Sequence, residues 1–232
     1  MGSVVGKRTG PSLLDLLPCN NLHIVMLGLD SAGKTTALYR LKFNQYLNTV
    51  PTIGFNCEKV KIKSGQVKGV TFNVWDIGGQ DKLRPLWRSY TRQTDGIVFV
   101  VDSVDEERME EAKMELLRLV KQPDHHGTPI LVYANKQDLP GAKDPTEVAR
   151  ILGLTDLSPL QGWHVQPACA IIGEGLDSGL EKLYEMICQR KRMARSSSSG
   201  LRSKDKSFLA STSSSRSTSN PTTSASSSCV RR

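Results

Sequence analysis

GLDSAGKT occupies residues 28–35 of this 232-residue chain, directly after the apolar run LHIVML (22–27). It matches G-x-x-x-x-G-K-[ST], the pattern of a loop that wraps a phosphate chain between a strand and a helix. Its glycines leave backbone N–H groups free to approach phosphate oxygens, and the helix N-terminus adds its positive dipole end. We expect Lys34 to neutralise the β- and γ-phosphates and Thr35 to ligate Mg²⁺. An ordinary turn is the alternative, but the flanking strand and helix favour the phosphate loop.

Apolar runs alternate with helical patterns along the chain, which predicts an α/β fold. Strands are predicted near residues 22–27, 55–63, 69–76, 97–102, the first part of 129–138, and 163–169. Helices are predicted near residues 34–42, 106–121, 145–152 and 176–192. The expected architecture has three layers, a mostly parallel six-stranded sheet with helices on both faces. Ligands of such sheets bind at the carboxyl ends of the strands, and every motif below falls at such an end.

WDIGGQ (75–80) ends one of the predicted strands. Asp76 is expected to hold Mg²⁺ through water, as an acidic residue after an apolar strand does in phosphate-loop proteins. Gly79 can bring its N–H close to a γ-phosphate because no Cβ intervenes. Gln80 can orient a water for in-line attack, although an exposed loop amide is the alternative interpretation of this residue.

NKQD (135–138) follows the fourth strongly apolar run and indicates which base is bound. The Asp138 carboxylate can accept two hydrogen bonds, from guanine N1–H and from the guanine amino group. Adenine offers no such pair and would leave a carboxylate without partners. Asn135 is expected to serve the other edge of the base, and the stem of Lys136 to lie along the ring.

CAI (169–171) follows the last predicted strand. It is expected to bring the Ala170 N–H near guanine O6. Cys169 belongs to the same loop, and it can equally be a small buried apolar residue.

An ATP kinase is an alternative interpretation of the phosphate loop. NKQD and the absence of a lid-like Arg-rich segment argue against that alternative.

The C-terminal part of the chain differs in composition from the rest. Ser and Thr make up more than half of the segment from Ser196 to Ser228, which is too polar to bury a core and is predicted to be disordered. Lys and Arg greatly outnumber acidic residues from Arg190 onward, so the net charge of +8 belongs to the tail and the preceding part of the chain is nearly neutral. This distribution argues against direct nucleic-acid binding. The predicted divisions are an N-terminal segment (1–19), one domain (20–190) and a basic tail (191–232).

Residues 20–190 resemble the Arf and Arf-like small GTPases. The motifs that carry the resemblance are GLDSAGKTT, PTIGFN, WDIGGQDKLRPLWRSY, VFVVDS, ANKQDLP and CAI. Asp30, the DIGGQ spelling and the late Cys-Ala distinguish the pattern from Ras-like and heterotrimeric α chains. The strands predicted near 55–63 and 69–76 form a long hairpin through SGQVKG (64–69). This hairpin, the run YTRQTDGIVFVVDS and the basic tail resemble the fourth Arf-like subgroup. The resemblance implies a P-loop GTPase that uses Mg²⁺ and converts GTP and water into GDP and phosphate.

The resemblance also implies roles for matching positions. Thr52 would reach Mg²⁺ and the γ-phosphate only when GTP is bound, so the expected metal ligands are Thr35 and Thr52. Residues 43–56 and 77–92 would be the switches that contact an exchange factor, a GTPase-activating protein and effectors. Gln80 and Lys34 would be the catalytic residues, and the chain is expected to be a monomer. The full set of expected nucleotide-binding residues is Gly28, Asp30, Ser31, Ala32, Gly33, Lys34, Thr35, Thr36, Thr52, Asp76, Gly79, Asn135, Lys136, Asp138, Cys169 and Ala170.

Three aromatic residues, Phe55, Trp75 and Tyr90, match positions that effectors contact in the resembling family. Ordinary core packing is an equal alternative for them.

Residues 43–54 contain no Arg. Without an arginine finger there, intrinsic hydrolysis is expected to be slow and to need an external activating protein. A largely GTP-locked adaptor is the alternative function. Arg84 and Arg88 are expected at the surface or facing a partner.

Membrane attachment is expected at both ends of the chain. Gly2 is a candidate for myristoylation, although Gly6 replaces the preferred Ser or Thr. SLLDLL (12–17) can lie on lipid as an amphipathic turn or pack back on the domain. The cluster RKRMAR (190–195) can bind an anionic leaflet, and it can also be a nuclear localisation signal or a solvated helix end. The expected location is the cytoplasmic face of membranes, the plasma membrane first, and the cytosol, with the nucleus as an alternative.

Overall fold

The computed structural model describes residues 21–63, 65 and 67–211, with side chains as far as Ser196. The strands are β1 (Leu22–Leu27), β2 (Phe55–Lys61), β3 (Thr71–Ile77), β4 (Gly96–Asp102), β5 (Ile130–Asn135) and β6 (Trp163–Pro167). The α-helices are α1 (Lys34–Phe43), α2 (Trp87–Tyr90), α3 (Met109–Val120), α4 (Pro145–Ile151) and α5 (Leu176–Ser211). Single 3₁₀ turns cover Arg84–Leu86, Pro123–His125 and Leu154–Asp156.

The strands form one sheet in the order β2-β3-β1-β4-β5-β6. Only β2 pairs antiparallel, as the outer half of a hairpin with β3, and the other neighbours are parallel. Both faces of the sheet are apolar in the central strands, and each face packs against helices in its own buried cluster. This confirms the expected three-layer α/β architecture. It also gathers the carboxyl ends of β1, β3, β4, β5 and β6 along one edge.

The C-terminal helix differs from the sequence expectation. Within the described residues, one compact unit ends at Lys191 and a second begins at Arg192. Helix α5 continues to Ser211, across the start of the segment predicted to be disordered. Extending an existing helix avoids the cost of nucleation, and Arg, Lys, Met and Ala in residues 190–195 favour the helical state. None of the helices in the described part of the chain is long and apolar enough to cross a membrane.

Candidate functional site

The phosphate loop joins β1 to α1, and close packing requires glycine at two of its positions. Gly28 has φ of +138°, and a Cβ there would lie 2.1 Å from the Val100 carbonyl oxygen. Gly33 has φ of +95° and precedes α1. A side chain at Gly33 would collide with the amide of Asn135, so the loop is shaped by direct contact with β4 and with the end of β5.

Lys34 is the first residue of α1, and its side chain turns back into the loop. Its ammonium donates a hydrogen bond of 2.6 Å to the Leu29 carbonyl oxygen, and only 6% of the residue is exposed. Burial lowers the pKa of Lys34 to about 8, against the opposing effect of the Asp76 and Asp30 carboxylates. A polyanion held by the loop would restore the preference for the charged form. The position therefore fits a phosphate-binding lysine.

The hydroxyl of Thr35 joins three separate segments of the chain. It donates to Asp76 Oδ2 at 2.6 Å and lies 2.7 Å from the Thr52 hydroxyl oxygen. Asp76 is fully buried near the end of β3, and its burial raises the pKa of its carboxyl group. Its other oxygen, Oδ1, is buried without a hydrogen-bond partner among the described residues.

These three oxygen-bearing side chains fit a magnesium ion. Mg²⁺ prefers oxygen ligands and usually keeps several waters, so a hydroxyl pair beside an orphaned carboxylate oxygen suits it. A cation there would also favour the charged form of Asp76, whose burial otherwise opposes it. Thr35 and Thr52 would hold the ion directly, and Asp76 would act through water. When bound, Mg²⁺ neutralises charge on the phosphate oxygens.

A cavity of about 320 Å³ opens beside these groups. Its lining comes from residues 30–31, 33–36 and 49–52, together with Gly79 and Gln80. Thr36 and Thr49 both line it, and their hydroxyl oxygens are 3.2 Å apart. The two loops that supply residues 49–52 and 79–80 both reach the cavity, and they also contact each other through a hydrogen bond from the Gly78 N–H to the Gly54 carbonyl oxygen.

Gly79 packs directly on the phosphate loop. A Cβ at this position would lie 2.4 Å from the Gly28 carbonyl oxygen and 2.5 Å from the Asp30 nitrogen. The next residue, Gln80, is exposed, and its side-chain amide makes no hydrogen bond with the described residues. Gln80 thus lines the cavity as a free amide, which is compatible with holding a water and with the simpler interpretation of a loop residue.

Asn135, at the end of β5, connects the phosphate loop to the CAI loop. Its Nδ2 donates to the Ala32 carbonyl oxygen at 2.7 Å, and its Oδ1 accepts from the Ala170 N–H at 2.9 Å. The residue is 3% exposed. Asn135 therefore fixes two loops at once, and the Ala170 N–H that was expected near guanine O6 already has a partner in this arrangement.

The other residues of the two base loops are also connected. The Cys169 thiol donates to Asp138 Oδ1 at 3.0 Å, while Asp138 itself is exposed. Burial, followed by the bond to Asp138, raises the pKa of the Cys169 thiol. Lys136 adopts φ of +66°, and its ammonium pairs with Asp102 at the end of β4. Cys169 is therefore a small buried residue that orients the exposed carboxylate of Asp138.

Arg84 is placed differently from the sequence expectation. It was expected at the surface or facing a partner, but its side chain is only 8% exposed. Its Nε donates to the Gly79 carbonyl oxygen at 2.9 Å, and its guanidinium pairs with Asp81 at 2.6 Å and Glu111 at 2.7 Å. Arg88 is exposed as expected. Arg84 differs from it in having an acidic residue three positions earlier, Asp81, and in lying against Glu111 of α3, which only the fold brings near.

The phosphate loop is also tied to the residues just before α3, which the sequence did not indicate. Arg108 lies 3.3 Å from Asp30 Oδ1 and pairs with Asp105 at 2.6 Å. Asp30, which lines the cavity, is therefore held by Arg108.

The N-terminal membrane expectations fall on another part of the chain. Gly2 and the SLLDLL stretch (12–17) lie outside the described residues, so their roles stay predictions.

The three aromatic residues form a cluster on the outside of the sheet. Phe55 stacks on Trp75 with 5.1 Å between ring centroids, and the rings of Phe55 and Tyr90 are 5.2 Å apart. Phe55 is 47% exposed, so the cluster is open to solvent on one side. Large apolar residues of segment 43–56 are also exposed, including Val50 and Ile53. Core packing and partner contact are thus both compatible with this cluster.

Gly79→Ala should separate nucleotide binding from hydrolysis. The added methyl group cannot fit against Gly28 and Asp30, so the start of segment 77–92 must move away from the cavity. We expect GDP binding to be retained and GTP hydrolysis to slow about 100-fold, the effect of roughly 1 Å of misplacement. Single-turnover hydrolysis and GDP dissociation measure the two effects.

Gly162→Ala, whose Cβ would have 3.8 Å to its nearest neighbour, is the matched control. Unchanged hydrolysis in Gly79→Ala would contradict the packing described above.

Comparison with known proteins assigns the family. The sequence profile of the ADP-ribosylation factor family matches residues 12–187. Human ADP-ribosylation factor-like protein 4C is 62% identical over 172 residues, which cover 74% of this chain and 90% of that protein. Mouse ADP-ribosylation factor-like protein 4A is 57% identical over 196 residues, covering 84% and 97%. Mouse ADP-ribosylation factor-like protein 4D is 58% identical over 176 residues, covering 76% and 88%.

A solved structure agrees with these relatives. The Arl6 (BBS3) small GTPase of Trypanosoma brucei, solved with the nucleotide analogue GppNp, is 34% identical. It superposes with a TM-score of 0.65 over 74% of this chain and 99% of its own. The relatives confirm the resemblance to the fourth Arf-like subgroup. The chain therefore belongs to the ADP-ribosylation factor family and is a small GTPase, an enzyme that hydrolyses GTP.

Proposed function

We propose that this GTPase is a membrane-associated switch that cycles between GDP and GTP states and recruits effectors when GTP is bound. The observation that carries the proposal is the position of Thr52, 2.7 Å from Thr35, together with the packing of Gly79 against Gly28 and Asp30 of the phosphate loop. Both switch segments thus meet where a γ-phosphate would bind. Loss of that phosphate would release them, as in other nucleotide switches.

The proposed hydrolysis relies on a small number of groups. Lys34 and the backbone N–H groups of the phosphate loop stabilise negative charge on the phosphates, and Gln80 orients the attacking water. Arg84 is committed to Gly79 and to the acidic residues around it, so it is not free to act as an arginine finger. We therefore propose slow intrinsic turnover and an external activating protein.

A GTP-locked adaptor is the second candidate function. The free, exposed amide of Gln80 supports it, because a water-orienting residue without a fixed position contributes little to the rate. The two candidates share nucleotide binding and effector recruitment. They differ in whether Gln80 contributes to GTP hydrolysis. In the switch it orients the attacking water, and in the adaptor it does not.

The proposed guanine contacts come from the two base loops. Asp138 would accept hydrogen bonds from the base, and its exposed carboxylate is oriented by the Cys169 thiol at 3.0 Å. Asn135 would act mainly by holding the CAI loop in place, since both ends of its amide have partners. Lys136 would lie along the base with its ammonium on Asp102.

We propose that the membrane contact uses the basic cluster and an acylated N-terminus. Lys191 already pairs with Asp95 at 2.7 Å, so its ammonium is less available to an anionic leaflet. One acyl chain binds membranes only weakly, and a second, electrostatic signal makes attachment stable. Modification of Gly2 and any nuclear role of the cluster stay predictions.

Hydrolysis with and without Gln80 distinguishes the switch from the adaptor. In single-turnover reactions with GTP, we expect slow hydrolysis by the unmodified chain. Gln80→Leu should reduce that rate at least about tenfold, since positioned acid–base and water-orienting groups contribute such factors. Gln189→Leu, which removes an exposed amide on α5, is the control. Equal rates for the unmodified chain and Gln80→Leu would favour the adaptor. Turnover of about 1 s⁻¹ without an activating protein would contradict the slow hydrolysis inferred from the missing arginine finger.

Competition between nucleotides checks the proposed base contacts. Unlabelled GTP should displace fluorescent GDP from the protein far more effectively than ATP, by a factor of about 10⁴, because adenine leaves the Asp138 carboxylate unpaired. Asp138→Ala should remove most of that preference. If ATP competes as well as GTP, the assignment of these loops to guanine is wrong.

A further inference from the structure

The hairpin of β2 and β3 carries a solvent-facing row of residues that the switch mechanism does not use. Burial alternates along β2, with Phe55, Cys57, Lys59 and Lys61 exposed and the residues between them directed to the other face. Opposite them on β3 lie Trp75, Asn73 and Thr71, paired with Cys57, Lys59 and Lys61 respectively. We call these seven residues the hairpin face.

The positive charge of the hairpin face is not neutralised locally. The segment 55–77 contains four Lys and only two acidic residues. Glu58 pairs with Lys42 at 3.2 Å, and Asp76 is buried beside Thr35. Lys59 and Lys61 form no ion pair within the described residues.

Neighbouring groups do not change this balance. The Lys63 ammonium lies 3.4 Å from the Lys42 carbonyl oxygen at the end of α1, and the Glu181 carboxylate of α5 lies against Gly65 in the turn. Neither provides an acidic partner for Lys59 or Lys61. The two strand lysines therefore present free positive charge on a rigid sheet.

The charged row is continuous with the aromatic cluster. Phe55, the first residue of β2, belongs to both and stacks on Trp75. At the rise of a β-strand, Lys59 and Lys61 lie about 13 and about 20 Å from Phe55. Their neighbours on β3, Asn73 and Thr71, are uncharged, so the charge forms a line rather than a broad area.

We propose that the hairpin face selects protein partners that place acidic residues beyond an apolar anchor, at the distance that separates Lys59 and Lys61 from Phe55. This inference rests on the proposed recruitment of effectors through the switches. The apolar anchor packs on Phe55, Trp75 and Tyr90, and the acidic residues meet Lys59 and Lys61. In a helical partner the spacing corresponds to about 9–13 residues at 1.5 Å per residue. A linear array of charge fits an extended or helical chain better than the plane of a lipid surface.

Lysines in this position have two alternative roles, and the test separates them from the proposed one. Lysines on an edge strand oppose pairing with a second sheet, which requires their charge but no partner. An anionic membrane would also attract them. Only the proposed role requires acidic groups at a defined distance from an apolar anchor.

The test uses the full chain loaded with a non-hydrolysable GTP analogue and two labelled helical peptides. Both peptides carry one cluster of leucines. The first also carries a cluster of Glu about 9–13 residues along the helix from the leucines. Gln replaces these Glu in the second. At low salt we expect the acidic peptide to bind about tenfold more tightly, measured by fluorescence anisotropy, with the difference falling as salt is added.

Variants of the hairpin face locate the effect. Lys59→Gln with Lys61→Gln should bind both peptides equally, and Lys59→Glu with Lys61→Glu should prefer a third peptide that carries Lys in place of Glu. Lys121→Gln, an exposed lysine at the end of α3, is the matched control and should bind like the unmodified chain. Reversal of preference by reversal of charge is a result that loss of folding cannot produce.

Specific results would overturn the inference. Equal affinity of the unmodified chain for the acidic and neutral peptides would do so. Phosphatidylserine-dependent vesicle binding that is lost in the Gln pair, with no peptide preference, would assign the face to lipid instead. Aggregation of the Gln pair with unchanged peptide binding would assign it to edge protection. If the protein loaded with GDP shows an equally strong preference for the acidic peptide, the role of the hairpin face is supported but the proposed switch is contradicted.

Discussion

The Thr35 hydroxyl is the point on which the site depends. It touches Asp76 from β3 and Thr52 from segment 43–56, and Thr35 itself lies in the first turn of the helix that follows the phosphate loop. Three parts of the chain that are distant in sequence are therefore held together by two short hydrogen bonds. The Asp76 Oδ1 atom is buried without a hydrogen-bond partner among the described residues, so it is available to a further group. A cation with a phosphate chain would supply that group.

The sheet explains why so few contacts suffice. Parallel strands bring their carboxyl ends to one edge, so residues 28–35, 76–80, 135–138 and 169–171 converge without long connections. Asn135 then ties the phosphate loop to the last base loop, and Arg84 ties Gly79 to α3. A nucleotide bound at this edge would thus bridge elements that already hold each other. Burial disfavours the charged form of Lys34 without an anion, which favours the nucleotide-bound protein over the empty one.

Much of this arrangement could be predicted from local sequence. The apolar runs and the glycines of GLDSAGKT define strands and a phosphate loop because their spacing has a direct steric meaning. The role of Arg84 could not be predicted, because its partner Glu111 lies far along the chain and reaches it only through the packing of α3. The double role of Asn135 was missed for the same reason. Extension of α5 to Ser211 was missed because the Ser-rich composition suggested disorder, whereas a helix already formed continues at low cost.

We propose that Thr52 joins the metal site only in the GTP state, so that the affinity for Mg²⁺ depends on the state of the switch. Measuring the Mg²⁺ affinity of the protein loaded with GDP and with a non-hydrolysable GTP analogue tests this most directly. We expect tighter Mg²⁺ binding with the GTP analogue, and we expect Thr52→Ala to weaken binding in that state while leaving the GDP state unchanged. Equal Mg²⁺ affinity in the two states, or an equal loss in both on Thr52→Ala, would contradict it.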